Sequence, residues 1–187
     1  MVVFARAPRL SAVKRRLGRE IGARAALRFH LATLHRLLRV LTTDRRFRTV
    51  LAVTPDRARF RLPLRVSRMP QGDGDLGARM DRAFRRFRHG RVALIGCDIP
   101  DAGVADLHAA FRALGRADAA FGPAADGGYW LVGMATCRPA RPFAAVRWSS
   151  EHALADTLRN FTGRRVVMLR TLHDVDTAAD LRRLHNH

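Results

Sequence analysis

The stretch best suited to chemistry is an apolar run from Val92 that ends in Gly96-Cys97-Asp98-Ile99-Pro100. The apolar residues predict a buried strand, which Pro100 terminates. Asp98 would then lie at the carboxyl end of the strand, where ligands bind in open α/β sheets. A carboxylate there can hold a hard cation such as Mg²⁺ through oxygen. Taken alone, the stretch is explained slightly better as a turn at Asp98 with a helix cap at Asp101 than as a metal site. The other segments of the chain make the metal site the better interpretation.

A basic loop follows the first predicted strand, Val2-Val3-Phe4-Ala5, and carries Arg6, Lys14 and Arg16. A strand, a basic loop and a helix start commonly hold phosphate, because backbone N–H groups, the helix dipole and cationic side chains all favour an anion. Among the 35 lysine and arginine residues Lys14 is the one lysine, which suggests that a compact ammonium group is needed there. The alternative interpretation is a solvated helix face.

A glycine-containing segment, Gln71-Gly72-Asp73-Gly74-Asp75-Leu76-Gly77-Ala78-Arg79, forms a second candidate site. Glycine allows a tight loop and a close approach of the backbone to a ligand. Asp75 can cap the helix that follows. The functional interpretation places five residues at a nucleotide or its phosphates: Gln71, Gly74, Asp75, Gly77 and Arg79. The alternative is a glycine-rich turn before an ordinary capped helix.

The segment Asp126-Gly127-Gly128 precedes an apolar run that begins at Tyr129 and predicts a strand. Its glycines allow a polar substrate to lie against exposed backbone. Asp126 could accept hydrogen bonds from a sugar hydroxyl or from an acceptor group. An Asp-Gly turn between two strands is about as good an interpretation.

Two further carboxylates, Asp174 and Asp176, lie near the end of the chain. Either of them could be a second metal ligand beside Asp98. The alternative is that Asp176 or Thr177 only caps a final helix.

Length and composition fit one domain over residues 1–187 with a real core, because 48% of the residues are hydrophobic. No apolar run approaches the length of a membrane span, and Met1 leads directly into apolar residues without the charged start of a signal peptide. These features predict a cytoplasmic protein with no membrane partner. Cys97 and Cys137 lie far apart without CxxC spacing, which argues against a disulfide scaffold and a structural zinc site.

The net charge of +19 could indicate a nucleic-acid-binding protein. The arginines, however, are scattered through nearly every predicted helix, in the manner of an arginine-preferring, GC-rich genome. The chain also has only two tryptophans and one tyrosine for stacking on bases. We therefore predict no specific nucleic-acid partner, and only weak non-specific binding at low salt.

Strands and helices alternate along most of the chain, which predicts an α/β fold with a mainly parallel mixed sheet covered by helices on both faces. A stripe of leucines at steps of three and four predicts a helix from residue 23 to about 42. His30 and His35 within this helix are predicted to be surface or packing residues. Residues 62–66 predict a short edge strand, because proline is tolerated there. Ser149-Ser150 predicts a helix N-cap.

Six ordered segments combine these features, and they cover nearly the whole chain. They are Phe4-Ala5-Arg6-Ala7-Pro8 with Lys14-x-Arg16-Leu17, Gly74-Asp75-Leu76-Gly77-x-Arg79-Met80, Ile95-Gly96-Cys97-Asp98-Ile99-Pro100, Gly122-Pro123-x-x-Asp126-Gly127-Gly128-Tyr129, Trp148-Ser149-Ser150, and Asp174-Val175-Asp176-Thr177-x-x-Asp180-Leu181. In this order they resemble the DUF2064 family of bacterial GT-A-fold transferases, whose members are often called rSAM-associated or arsenosugar-biosynthesis glycosyltransferases.

The resemblance implies a GT-A, or nucleotide-diphospho-sugar transferase, fold with Mg²⁺ or Mn²⁺ as cofactor. It gives Asp98 the place of the metal-binding acid at the end of the central strand. Asp176, with Asp174 as a further candidate, falls where related GT-A nucleotidyltransferases place a second ligand on the metal side.

The same resemblance implies the substrate contacts. Lys14 and Arg16 fall in the phosphate-binding loop. Asp126, with Gly127 and Gly128, falls at the sugar or acceptor site. The expected function is metal-dependent transfer of a sugar from a nucleotide-diphospho-sugar to a small acceptor, with Asp98 and Asp126 as the catalytic residues.

The first loop departs from the family pattern at two positions, since the family usually has glycine where Ser11 stands and threonine where Arg15 stands. The first loop also resembles that of phospholactate guanylyltransferase, and this further resemblance keeps an alternative open. The alternative is nucleotidyl transfer from an NTP to a phosphorylated small molecule, with release of pyrophosphate. A non-catalytic basic protein that binds nucleic acid ranks last, because the acidic and glycine motifs would have no purpose in it. The nucleotide base, the sugar, the acceptor, the stereochemical outcome and the oligomeric state stay open.

Overall fold

A seven-stranded mixed sheet forms the centre of the structure, a computed structural model that describes residues 1–63 and 65–185. The strands are β1 Val2–Arg6, β2 Val50–Thr54, β3 Ser67–Pro70, β4 Val92–Gly96, β5 Ala119–Pro123, β6 Tyr129–Met134 and β7 Val166–Met168. Their spatial order is β3-β2-β1-β4-β6-β5-β7. All neighbours pair in parallel except β6, which is antiparallel to both β4 and β5. The predicted mainly parallel mixed sheet is therefore confirmed.

Helices cover both faces of the sheet, also as predicted. They are α1 Arg15–Ile21, α2 Ala23–Thr43, α3 Leu76–Arg86, α4 Val104–Ala113, α5 Ala153–Arg159 and α6 Ala178–His185. Along β1, Val3 packs into a core with α2 and α4, whereas Phe4 packs into a second core with α3 and α5. Successive side chains of a strand point to opposite faces, so a continuous apolar strand needs cover on both sides.

The edge strand lies later in the chain than predicted. It is β3, Ser67–Pro70, and not residues 62–66, of which Leu64 lies outside the described residues. Within β3 only Met69 is buried, and it packs against the same core as Phe84. An edge strand with one buried side chain leaves almost no hydrophobic pattern in the sequence, which explains the wrong prediction.

Two predicted helix starts are also wrong, because backbone geometry rather than the nearest polar residue sets each start. Helix α4 does not begin after Asp101: Gly103 is its N-cap, and Asp106 Oδ2 accepts the Gly103 N–H at 2.8 Å. Helix α5 begins at Ala153, and Ser150 instead closes the preceding turn by donating from Oγ to the Arg147 carbonyl at 2.7 Å.

Within residues 1–63 and 65–185, none of the helices combines the length and the apolar character that crossing a bilayer requires.

Candidate active site

Three loops bring charged side chains together at the carboxyl edge of the central strands. Asp98 follows β4, Lys14 ends the loop after β1, and Asp176 lies just before α6. The Lys14 Nζ is 2.9 Å from Asp176 Oδ1 and 3.3 Å from Asp98 Oδ1. The structure thus joins three of the predicted site residues that lie up to 162 positions apart in the chain.

Lys14 serves as the counter-ion of the two carboxylates. Its side chain is only 4% exposed, and its backbone has the left-handed φ of 46°. Burial opposes the charge on Lys14, but the carboxylates of Asp98 and Asp176 outweigh that effect and raise its pKa above the ordinary value. The side chain therefore carries a positive charge near neutral pH. Its predicted contact with phosphate stays a prediction.

His30, predicted from the sequence to be a surface or packing residue, also lies beside this cluster. His30 is 2% exposed, and its Nε2 lies 3.1 Å from the Arg6 carbonyl oxygen while its Nδ1 lies 4.0 Å from Asp98 Oδ1. The buried face of α2 runs through Ala26, His30, Leu34 and Leu37, so the histidine sits in line with apolar residues. The position of His30 on the apolar stripe of this helix could have indicated that the histidine is buried.

Two cavities meet at Asp98 and Asp176. The first, of about 550 Å³, lies over the ends of β1 and β2, and we call it the basic cavity. Its cationic lining residues are Arg6, Lys14, Arg15, Arg16 and Arg79. The second, of about 560 Å³, lies beside the β5–β6 turn, and we call it the acidic cavity. Besides Asp98 and Asp176, its acidic lining residues are Asp126, Glu151 and Asp174.

The acidic cavity holds more negative charge than its own cations balance. Arg16 is the one basic side chain among the described residues that line it. The pKa of Asp174 is raised, first by burial and then by the negative charges of Asp176 and Asp126. A neutral polar or cationic group would therefore bind there more readily than an anion.

The wall of the acidic cavity includes Trp148, for which the sequence predicted no role beyond its place in the Trp148-Ser149-Ser150 segment. Its ring packs at 6.4 Å from the Tyr129 ring and at 6.3 Å from the Phe143 ring. Arg147, the preceding residue, donates from Nε to the buried Asp156 carboxylate at 2.8 Å. These contacts fix a flat, half-buried aromatic surface beside the carboxylates.

In the predicted segment 71–79, some residues line the basic cavity and others shape the loop. Gln71 and Arg79 line the basic cavity. Asp75 caps α3 by accepting the Ala78 N–H at 2.8 Å, as predicted. Gly74 has a φ of 95°, and a Cβ on Gly77 would lie 2.8 Å from the Trp148 ring, so both glycines shape the loop and its packing.

In the turn that carries Asp126, likewise, some residues line a cavity and one shapes the backbone. Asp126 Oδ1 accepts the Gly128 N–H at 2.9 Å, and both residues line the acidic cavity. Gly127 has a φ of 84°, and a Cβ there would lie 2.1 Å from the Glu151 carbonyl oxygen. Gly127 therefore allows the turn to pass close to the segment that carries Glu151.

The carboxylates at the junction fit a divalent cation. Asp98 and Asp176 direct oxygens at a single cationic atom, the Lys14 Nζ, and their side chains are 50% and 42% exposed. Hard oxygen donors with access to water suit Mg²⁺ or Mn²⁺, which keep several water ligands. The residues present thus fit the expected cofactor.

Solved structures with a similar fold include a "putative nucleotide-diphospho-sugar transferase" from Desulfovibrio desulfuricans G20. It is 28% identical, has a TM-score of 0.85, and the match covers 98% of this chain and 84% of that one. Rv0371c of Mycobacterium tuberculosis H37Rv, crystallised with manganese, matches at 20% identity and a TM-score of 0.53, over 98% and 95% of the two chains. The 2-C-methyl-D-erythritol 4-phosphate cytidylyltransferase of Thermus thermophilus matches at 14% identity and a TM-score of 0.58, over 99% and 96%.

These comparisons define the class of fold, which is that of the nucleotide-diphospho-sugar transferases. The family model described as "Uncharacterized protein conserved in bacteria (DUF2064)" matches residues 37–150, and the chain belongs to this family. No curated protein matches the chain.

Proposed function

We propose that this protein transfers a glycosyl group from a nucleotide-diphospho-sugar to a small acceptor, with a divalent metal ion at Asp98 and Asp176. The similar solved structures support a transferase that uses a nucleotide sugar or an NTP. The observation that carries the finer proposal is the meeting of a basic and an acidic cavity at these two carboxylates.

The basic cavity suits the diphosphate of the donor. Arg6, Arg16 and Arg79 line it and can each make charge-assisted hydrogen bonds to phosphate oxygens. Arg79 is held towards the loop before α3, because its Nε donates to the Gly74 carbonyl at 2.9 Å. Such fixed cations stabilise negative charge that develops on a departing nucleoside diphosphate.

Asp98 and Asp176 would hold Mg²⁺ or Mn²⁺. When bound there, the ion would supply neutralisation of the diphosphate charge as the bond to the sugar breaks. The Lys14 ammonium, which now contacts both carboxylates, and the Arg16 guanidinium are the side chains that can add to this stabilisation.

The acidic cavity suits the acceptor. Asp126 is exposed within it and can orient an acceptor hydroxyl or remove its proton as the new bond forms. Asp174 and Glu151 add negative charge, which favours a neutral or cationic acceptor over a phosphorylated one. The cavity therefore supports glycosyl transfer more than nucleotidyl transfer.

Nucleotidyl transfer is the second candidate, because the cytidylyltransferase of Thermus thermophilus shares the fold. It would use the same metal site and basic cavity, with a phosphate group as the attacking nucleophile. The phosphate would have to approach through or beside the carboxylates of the acidic cavity.

Product analysis separates the two candidates. The full chain is incubated with Mn²⁺ and, in turn, with nucleotide sugars and with NTPs, in the presence of a panel of neutral polyols and phosphorylated acceptors. We expect release of a nucleoside diphosphate from one nucleotide sugar, including slow transfer to water when no acceptor is added. Pyrophosphate release from an NTP, without turnover of any nucleotide sugar, would overturn the proposal in favour of nucleotidyl transfer.

A further inference from the structure

His30 is a buried histidine beside Asp98, and the proposed function assigns no role to it. His30 lies on the inner face of α2, with its Nε2 at 3.1 Å from the Arg6 carbonyl oxygen. A carbonyl oxygen can only accept, so Nε2 carries the proton in this hydrogen bond. The remaining ring nitrogen, Nδ1, then carries a lone pair.

The Nδ1 atom of His30 faces the carboxylate of Asp98 at 4.0 Å. Among residues 1–63 and 65–185, no side chain or backbone group donates a hydrogen bond to it. A lone pair and a carboxylate therefore face each other, an arrangement that a shared cation stabilises.

We propose that His30, through Nδ1, joins Asp98 in binding the divalent ion of the proposed function. The inference rests on the metal site of the proposed function and specifies its ligands and its metal preference. In metal-binding histidines the second ring nitrogen commonly donates to a backbone carbonyl, which fixes the tautomer and the ring orientation. The Arg6 carbonyl holds His30 in that way.

A nitrogen ligand changes which ion the site prefers. Mg²⁺ prefers oxygen ligands in a near-ideal octahedron, whereas imidazole suits first-row transition ions. The candidate ligand atoms of His30, Cys97 and Asp98 all lie within 4.8 Å of one another, close enough to share one ion. We therefore expect the site to favour Mn²⁺ or a later transition ion over Mg²⁺.

Cys97 lies beside the two proposed ligands, and its Sγ donates to Asp98 Oδ1 at 3.7 Å. Lys14 contacts the same Asp98 oxygen at 3.3 Å. Its ammonium group therefore competes with the ion for the carboxylates, and its flexible stem allows it to turn towards the basic cavity, which it also lines.

Pulsed electron paramagnetic resonance of Mn²⁺ bound to the full chain, without nucleotide, tests the proposal. We expect echo modulation from a directly bound imidazole nitrogen in the wild type and its loss in His30→Gln. Glutamine can keep the donor to the Arg6 carbonyl but lacks Nδ1. Titrations should show Mn²⁺ affinity weakened at least about tenfold in His30→Gln, with Mg²⁺ affinity changed by less than about twofold.

His35→Gln is the matched control, because it makes the same substitution on the same helix. The His35 Nε2 is buried and has no hydrogen-bond partner within the described part of the chain. This variant should keep both the nitrogen modulation and the Mn²⁺ affinity. Because the wild-type signal is informative by itself, poor folding of either variant leaves the test intact.

Two results would overturn the inference, and only one of them would also overturn the proposed function. Mn²⁺ that binds through Asp98 without any nitrogen modulation would exclude His30 and leave the proposed function standing. Mn²⁺ that does not bind, or that binds equally well to Asp98→Asn, would exclude the metal site and with it the proposed metal-dependent transfer.

Discussion

The basic and the acidic cavity share Asp98 and Asp176 but differ in origin and in charge. The basic cavity lies over the parallel strands β1 and β2 and takes its cations from the end of β1, from the loop after it, from the start of α1 and from α3. The acidic cavity lies beside the antiparallel β5–β6 turn and the segment that carries Trp148. Under the proposed function the first side recognises a polyanion, and the second side recognises an uncharged or cationic acceptor. The comparison therefore predicts that substitutions on the two sides affect different substrates.

The largest effect is expected where the cavities meet. Asp98→Asn keeps the shape of the side chain but removes the charge that holds the metal ion, so turnover should fall by about 10²–10³-fold. Steady-state kinetics at saturating Mn²⁺ measures this. Asp101→Asn, at an exposed acid three positions later, is the control and should retain wild-type turnover. An active Asp98→Asn variant would remove the metal site from the account.

A substitution at the acidic side should affect the acceptor alone. Asp126→Asn keeps an oxygen that can accept the Gly128 N–H and therefore preserves the turn, while it removes the base. We expect kcat to fall by about 10²-fold, within the range for general-base catalysis. The dissociation constant of the nucleotide, measured by calorimetry, should stay unchanged. A weakened nucleotide affinity with normal kcat would reverse the assignment of the two sides.

A substitution at the basic side should affect the nucleotide and the metal in opposite directions. Lys14→Met removes the cation that competes for Asp98 and Asp176, so Mn²⁺ should bind more tightly. Loss of one charged contact should weaken nucleotide binding by about tenfold, the equivalent of about 1.4 kcal/mol. Calorimetric titrations measure both quantities.

Arg9→Met is the control for this prediction, because Arg9 is exposed on the same loop and lines neither cavity. It should leave both affinities unchanged. Weaker Mn²⁺ binding in Lys14→Met would show that the ammonium group supports the metal site and does not compete with it.

The smallest effect concerns the wall of the acidic cavity. In Gly77→Ala the new Cβ would lie 2.8 Å from the Trp148 ring and 3.1 Å from the Phe143 Cβ. Displacement of the ring should lower the free energy of unfolding by about 1–3 kcal/mol and raise the acceptor KM. Chemical denaturation and kinetics measure the two effects. Gly18→Ala, at a glycine in α1 whose added Cβ would lie at an ordinary 3.6 Å from the Ala26 Cβ, is the control and should leave the acceptor KM unchanged without lowering the free energy of unfolding.

Much of the framework could be predicted from the sequence, since apolar strands and the leucine stripe of α2 leave periodic patterns. The Asp75 cap could also be predicted, because cap and helix are adjacent in the chain. Strand β3 could not, since only Met69 is buried. The roles of His30 and Trp148 were missed because their partners, Asp98 and Gly77, lie far away along the chain. Contacts of that kind depend on the packing of helices against the sheet.

Joint binding of metal and nucleotide at the junction of the two cavities is the central claim, and thermal unfolding tests it most directly. The wild-type chain is melted with each nucleoside diphosphate, nucleotide sugar and NTP, with and without Mn²⁺. A ligand at about 100 times its Kd stabilises the native state by about 2.7 kcal/mol, or roughly 5–10 °C for a chain of this size. We predict a Mn²⁺-dependent shift with one nucleoside diphosphate, a further rise with its sugar conjugate, and neither in Asp98→Asn. No shift with any of these nucleotides in the presence of Mn²⁺ would contradict the account.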